Sequence, residues 1–401
     1  MKNIIYILIL IVTILVQTGF SQKLTIIEQD YEQAKLESQK QNKLLLIDFY
    51  TTWCAPCKQI DKLIFNDPGI SAEMSKSFIL LRYDAEKDET HRLSLKHHIR
   101  GYPSSAVLNQ NQFTVHKQLG LGGPEKDLVK NYQAFLKTSI AKHAENYYVK
   151  GISNTTKDLV YPKFYEDYVY RKNTTLDETA LKDYWDNNKD YLSEVSFAVF
   201  SYFHGSEAVE KFFIENLQKY EDLYGKMDVN SAKWNIVSTK YDKAIETKDR
   251  KLLATAHEVN RTLFGKEEAD KGIDVWEQYM LIEEKRWTEA VELFIARKKR
   301  EKLGEDYVDN FCSTVHRKST DKKALEKCVS LMRDVTDKTP TFDYLNTYAY
   351  LLYKTGDFKR SKTTLEKAIK IGKLNNEDTK NTEKWLKAAQ DKINQKSSGK
   401  K

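Results

Sequence analysis

The stretch KLLLIDFYTTWCAPCKQI, residues 43–60, decides how the first part of this chain is read. Its opening half, KLLLIDFY, is a short apolar run of a length that suits a buried strand. One acid, Asp48, stands inside that run and needs an explanation. The second half holds two of the chain's four cysteines, Cys54 and Cys57, separated by Ala55-Pro56 and followed at once by Lys58. Such a pair can bind a metal, staple a fold or pass electrons.

A structural zinc site needs four ligands, and a lone CxxC supplies two thiolates with no second cluster at suitable spacing. His91, His97 and His98 lie on a charged segment that reads as a solvated face. No metal and no cofactor is expected. The redox reading uses more of the residues. A sulfur at a helix N-terminus is favoured as the thiolate by unpaired backbone N–H groups and the helix dipole, and Cys54 has that place. Cys57, one turn further in, can reach the same sulfur and resolve a mixed disulfide, and Pro56 fits a first turn that needs no N–H donor.

Around this stretch, residues 25–39 space Ile27, Tyr31 and Ala34 as one helical face, and a helix follows the cysteines to about Ile64, where NDPG (66–69) breaks it. Residues 77–84 read as a strand and 89–98 as a polar helix. Strands at 104–108 and 113–119 come next, then a helix from Pro124 to about Lys142. The order is helix, strand, helix, strand, helix, strand, strand, helix.

KLLLIDFYTTWCAPCKQI in that order of elements resembles the thioredoxin superfamily over roughly residues 24–140. Through DFYTTWCAPCK and the following FNDPGI it is most similar to extracytoplasmic domains typified by the periplasmic C-terminal domain of thiol-disulfide interchange proteins. The resemblance implies an α/β thioredoxin fold, a central mixed sheet flanked by helices, and a redox disulfide between Cys54 and Cys57. It implies that Asp48 is the buried acid that moves the proton of Cys57, with burial raising its pKa. Tyr102-Pro103 matches the cis-proline loop that offers backbone to an extended substrate, Gly120 and Gly122 match the loop completing the groove, and Trp53 lies beside the same substrate. The strong oxidants of the superfamily carry a histidine between the cysteines; Ala55-Pro56 supplies no charge, which tilts the reading toward reduction.

The N-terminus, MKNIIYILILIVTILVQTGFSQ, has one lysine, an apolar run from Ile4 to Val16 and small residues at Gly19 and Ser21. It reads as a signal peptide (1–21) cleaved after Ser21, which makes the protein periplasmic or extracellular and limits membrane contact to that segment. The formal charge of +7, from 65 basic and 58 acidic residues, is a small excess in a dense mixture and gives no nucleic-acid reading.

After a thioredoxin-like domain at 22–141, Lys/Glu-rich amphipathic segments predict an all-α continuation: a helical region at 142–245, helical repeats at 246–395 and a disordered tail at 396–401. VYPKFYEDYVYR (160–171) reads as the packed face of a helix starting at Pro162. In 344–369 one helix, a turn at Gly356 and a second helix resemble a tetratricopeptide repeat, and Ala290, Ala324 and Ser361 fall at near-family spacing, although Lys285 and Ser319 replace the turn glycine. Cys312 and Cys328 fall on facing helices, where they could form a structural disulfide or fill the interface as thiols.

The expected function is that of an exported thiol-disulfide oxidoreductase, of disulfide reductase or isomerase type, acting on protein substrates with disulfides. It would draw on an unidentified electron donor, and the repeats could hold a protein partner. The alternative is a non-catalytic binding scaffold in which the helical repeats carry the function.

Overall fold

The computed structural model of the chain describes residues 23–398 apart from 156 and 158. The expected signal peptide, with its cleavage site after Ser21, and residues 399–401 of the expected tail lie outside the described residues. The described residues divide into two compact units, the first ending at Ile236 and the second beginning at Val237.

The first unit opens with β1 (Ile26–Glu28), α1 (Tyr31–Gln41) and β2 (Leu44–Tyr50). Helix α2 (Ala55–Ile60) continues through a π-helical turn at Asp61–Phe65 and is followed by α3 (Pro68–Met74), β3 (Phe78–Asp84), the short α4 (Leu93–Lys96), β4 (Ser104–Leu108), β5 (Thr114–Leu119) and α5 (Leu128–Ala144). The strand order is β1-β3-β2-β4-β5. β1, β3 and β2 run parallel, whereas β4 and β5 each pair antiparallel with their neighbour. This is the mixed central sheet of a thioredoxin fold.

Alternation along β2 divides the core between the two faces of the sheet. Leu44 and Leu46 join Ile60, Ile64, Tyr132 and Phe135 under α2 and α5. Leu45, Ile47 and Phe49 join Tyr31, Ala34, Leu93 and Ile99 on the other side. Asp48 has the parity of the first face and is buried there.

Two local expectations need correction. Residues 25–39 are not one helix, because Ile26–Glu28 pairs in register with Leu80–Arg82 and only then does Asp30, accepting from the Gln33 N–H at 2.9 Å, cap α1. A pairing partner half a domain away leaves no trace in local periodicity. The polar helix expected at 89–98 shrinks to α4, and it is not a solvated face: Lys96, His97 and His98 are buried. Asp88 fixes this segment by accepting from the Leu93 and Ser94 N–H groups at 3.0 and 2.6 Å and from the Tyr83 hydroxyl at 2.6 Å.

What covers it is the start of the helical region. Helices α6 (Lys163–Val169), α7 (Glu178–Asn187), α8 (Glu194–Phe203), α9 (Glu207–Glu215) and the first part of α10 (Leu217–Thr247, broken at Gly225) belong to the first unit. As expected, α6 starts after Pro162, and its buried Tyr165 donates to the Leu95 carbonyl at 3.0 Å. On α10, Asp228 pairs with Lys117 of β5 at 2.6 Å and lies 3.6 Å from His98, all three groups being buried. Burial alone would raise the Asp228 carboxyl, but Lys117 and His98 hold it well below the usual carboxylate range. Burial lowers the neighbouring His98 to about 4.

The second unit is helical throughout its described residues. α11 (Arg250–Phe264), α12 (Lys266–Glu283), α13 (Trp287–Glu301), α14 (Glu305–Lys318), α15 (Lys322–Lys338), α16 (Phe342–Lys354), α17 (Phe358–Leu374) and α18 (Lys380–Ser398) follow the end of α10. Ala290, Ala324 and Ser361 are fully buried, and the Ser361 hydroxyl donates to the Ala349 carbonyl of the preceding helix at 2.8 Å. Gly356 takes the left-handed conformation the turn requires (φ 88°), and Lys285 adopts it without being glycine (φ 61°). α18 carries helix to Ser398, into the stretch expected to be a disordered tail, and Lys396 lies over the Phe358 ring at 4.8 Å. Among the described residues no helix is long and apolar enough to cross a membrane.

Cys312 and Cys328 are buried free thiols on α14 and α15, the Cys312 sulfur 3.9 Å from the Cys328 carbonyl. The structural disulfide considered from the sequence is not formed; both residues fill the helix interface as small apolar groups. Burial, with Cys328 alongside, pushes the Cys312 thiol well above its ordinary value. Titration of the oxidised protein with a thiol reagent should therefore find no reactive thiol in the native state and two after denaturation; none in either state would mean a disulfide. Replacing Asp228 by alanine strands a buried ammonium and should cost about 3–5 kcal/mol in urea-induced unfolding of the first unit.

Candidate active site

Residues 51–54 turn the chain out of β2 into α2, and Cys54 is the N-cap residue of that helix. Its sulfur accepts the Cys57 N–H at 3.1 Å, and the two sulfurs are joined as a disulfide with the Cα atoms 5.3 Å apart. Pro56 occupies the first turn, where no donor is lost. Ala55, Pro56 and Lys58 are exposed beside the disulfide.

The peptide Tyr102-Pro103 is cis, and the Pro103 carbonyl accepts the Gly120 N–H at 2.8 Å, which ties the two expected groove loops together. Gly122 has φ 72°, which side-chain-bearing residues rarely adopt, and a Cβ there would lie 2.7 Å from the amide end of Gln118, which would have to swing aside. Trp53 is 64% exposed, and its ring meets Tyr102 edge-on at 6.2 Å. The residue before the first cysteine thus touches the residue before the cis-proline. Trp53 also donates to Glu86 Oε1 at 2.8 Å, which fixes the indole.

Asp48 is fully covered. Burial raises its carboxyl to about 7, against the pull of Arg82, whose Nε lies 2.9 Å from Asp48 Oδ2. The parallel register of β2 and β3 places Asp48 directly opposite Arg82. Arg82 turns its other nitrogens to Asp61, at 2.6 and 3.2 Å, and its guanidinium lies over the Tyr50 ring at 4.4 Å. Asp48 Oδ1 has no hydrogen-bond partner, so a single oxygen carries the ion pair.

The structure therefore links Trp53, next to the Cys54–Cys57 disulfide, to Tyr102, and Pro103 to Gly120, with Gly122 two residues further on and Asp48 on the sheet face that α2 covers. Cys312 and Cys328 belong to the second unit. Sequence reasoning missed Arg82, Asp61 and Glu86. For Arg82 a signal was present: FILLRYD, like LLLIDFY, is an apolar strand carrying one charge at an interior position, and the two charges are opposite.

A disulfide capping a helix beside a cis-proline loop, on this sheet, defines a thioredoxin-fold dithiol domain. Residues 26–110 match the family model described as Thioredoxin-like. The thiol:disulfide interchange protein DsbD of Vibrio vulnificus (strain CMCP6) is 33% identical over 73 residues, 18% of this chain and 12% of that protein. Thioredoxin-1 of Drosophila melanogaster is 31% identical over 71 residues, 18% of this chain and 62% of that protein. The chain thus spans only a small share of the DsbD relatives and under two thirds of the thioredoxin. Among solved structures, a thioredoxin from Thermus thermophilus shares 17% identity over 31% of this chain and 98% of its own, with a TM-score of 0.24. The reduced Schistosoma mansoni thioredoxin pre-protein shares 27% over 29% and 98%, with a TM-score of 0.22.

The Asp48 geometry has a thermodynamic consequence. Its carboxyl titrates near 7 in the fold and near 3.8 when unfolded, so the neutral form is preferred natively and that stability is lost as pH rises toward about 7. Asp48→Asn should raise stability at pH 8 by about 2–4 kcal/mol, from roughly 1.4 kcal/mol per pH unit, and by distinctly less at pH 5. Denaturant unfolding at the two pH values measures this, and a gain equal at both would contradict it.

Proposed function

We propose that this protein is an exported thiol-disulfide oxidoreductase of thioredoxin type that reduces or exchanges disulfides in extracytoplasmic proteins. The observation that carries the reading is the Cys54–Cys57 disulfide at the N-terminus of α2, flanked by Trp53 in contact with Tyr102 of the cis-proline peptide. Export rests on the leader-like sequence of residues 1–21.

In the reduced protein, the Cys54 thiolate attacks one sulfur of a substrate disulfide. The substrate S–S bond breaks, a Cys54–substrate disulfide forms and one substrate thiolate leaves. Asp48 takes the Cys57 proton, and the Cys57 thiolate attacks the Cys54 sulfur, releasing the second substrate thiolate and forming the intramolecular disulfide. Two electrons pass from the dithiol to the substrate, and an external dithiol restores the enzyme. A carboxyl titrating near neutrality suits the proton transfer, because it can be empty before the step and filled after it. The backbone at Tyr102-Pro103 and the glycines at 120 and 122 receive the substrate strand. The charge-free Ala55-Pro56 favours the reducing direction. The tetratricopeptide-like helices of the second unit would hold a protein partner.

The full chain should catalyse insulin reduction by dithiothreitol, and Cys54→Ser should abolish it. Cys57→Ser should accumulate mixed disulfides through Cys54 with its substrates. Undiminished turnover by the Cys54→Ser protein would overturn the mechanism and favour the scaffold reading.

A further inference from the structure

The helical layer of the first unit does more than cover the sheet. It grips the chain segment that leads into the cis-proline peptide. Arg92 pairs with Glu166 of α6, Tyr165 holds the Leu95 carbonyl, and the His98 ring packs against Phe197 of α8 at 5.7 Å. Arg100 donates to the Ser201 carbonyl with its guanidinium 4.9 Å over the Tyr202 ring. Just past the end of α6 the chain turns through Arg171 in the left-handed conformation (φ 58°), and Arg171 donates to the Arg100 carbonyl at 3.1 Å. That carbonyl is two residues from Tyr102.

This arrangement places Arg100 and Arg171 beside the cis-proline segment, with Lys172 next in the chain and its ammonium 5.6 Å over the Tyr170 ring. Among the described residues no carboxylate lies within ion-pair distance of any of the three, whereas Arg82 and Arg92 in the same unit are both paired. Arg171 and Lys172 are exposed. Burial pushes the Tyr102 phenol up, and Arg171 is the largest charge acting against it, which sets the guanidinium close to the loop. Glu86, which accepts the Trp53 indole N–H, and Asp84, which pairs with Lys87 at 3.2 Å, act on Tyr102 in the opposite sense, each more weakly than Arg171. Lys58 supplies an exposed cation beside the disulfide as well; what distinguishes Arg171 is its hydrogen bond into the segment that leads to the cis-proline peptide.

We infer that Arg171, with Arg100 and Lys172, forms a cationic rim that selects disulfide substrates carrying acidic side chains in the segment laid along Tyr102-Pro103. The inference rests on the oxidoreductase reading and adds the substrate class. Exposed unpaired cations attract an acidic segment without a desolvation cost large enough to cancel the gain, and the field falls off with salt. Arg100 is held by the Ser201 carbonyl and sets the position of the rim; Arg171 and Lys172 present it to the substrate.

Three peptides with the same single disulfide, flanked by glutamates, glutamines or lysines, test this with the reduced full-length protein. At low ionic strength kcat/KM should fall in the order acidic, neutral, basic, with an acidic-to-basic ratio of about tenfold that shrinks several-fold in about 0.3 M salt. Arg171→Gln and Lys172→Glu should each lower the ratio about threefold. The ratio is read within one protein preparation, so a partial loss of folded Arg171→Gln does not distort it, and Lys172→Glu alters only an exposed side chain. Equal rates for all three peptides, or a ratio that neither variant changes, would overturn the rim while leaving the oxidoreductase intact. Failure of the wild-type protein to reduce any of the three would overturn the activity itself.

Discussion

β2 has strands on both edges and packed side chains on both faces, so whatever charge it carries must be settled inside the protein. Its one acid, Asp48, is met by the one base of the neighbouring strand, Arg82, through a register that the surrounding apolar residues enforce. A slip by one residue would turn Asp48 into the opposite face and leave Arg82 facing aliphatic side chains. The ion pair and the hydrophobic core therefore specify the same alignment. That alignment also sets where β2 ends, and so where the turn delivers Cys54 to the start of α2.

The pair is deliberately incomplete as electrostatics. Arg82 divides its donors between Asp48 and Asp61, and one Asp48 oxygen is left bare. A fully solvated or doubly bonded carboxylate would be pinned as the anion; an isolated one would never ionise. Sharing the guanidinium leaves the carboxyl between those limits. Asp61 thus acts on the buried acid at one remove, from the π-helical turn that prolongs α2.

Much of the sheet was legible in the sequence because its strands are apolar runs of strand length ended by turn residues. The cysteine pair, the proline and the glycines were legible because few chemistries use that combination. β1 was not, since three residues have no period and gain their identity only by pairing with Leu80–Arg82. The burial of Lys96, His97 and His98 was hidden for a different reason: their partners, Asp228 and the aromatic rings of α8, lie far along the chain, in a stretch without a readable repeat. The grip on the cis-proline segment was missed with them. In the second unit the small residues at Ala290, Ala324 and Ser361 marked close helix contacts correctly, because a fully buried Cβ next to another helix leaves little choice of side chain.

Lys117 is the last charge laid down on the sheet, and the carboxylate that balances it, Asp228, is synthesised long afterwards. At about 5–20 residues per second the interval is of the order of ten seconds. During that time a nascent chain holding a complete set of strands still has an ammonium and two imidazoles on a surface meant to be dry. The dry side of this sheet is therefore a joint product of the strands and of helices that come much later in the chain. Full burial of Lys117, His97 and His98 waits for the helices that cover them.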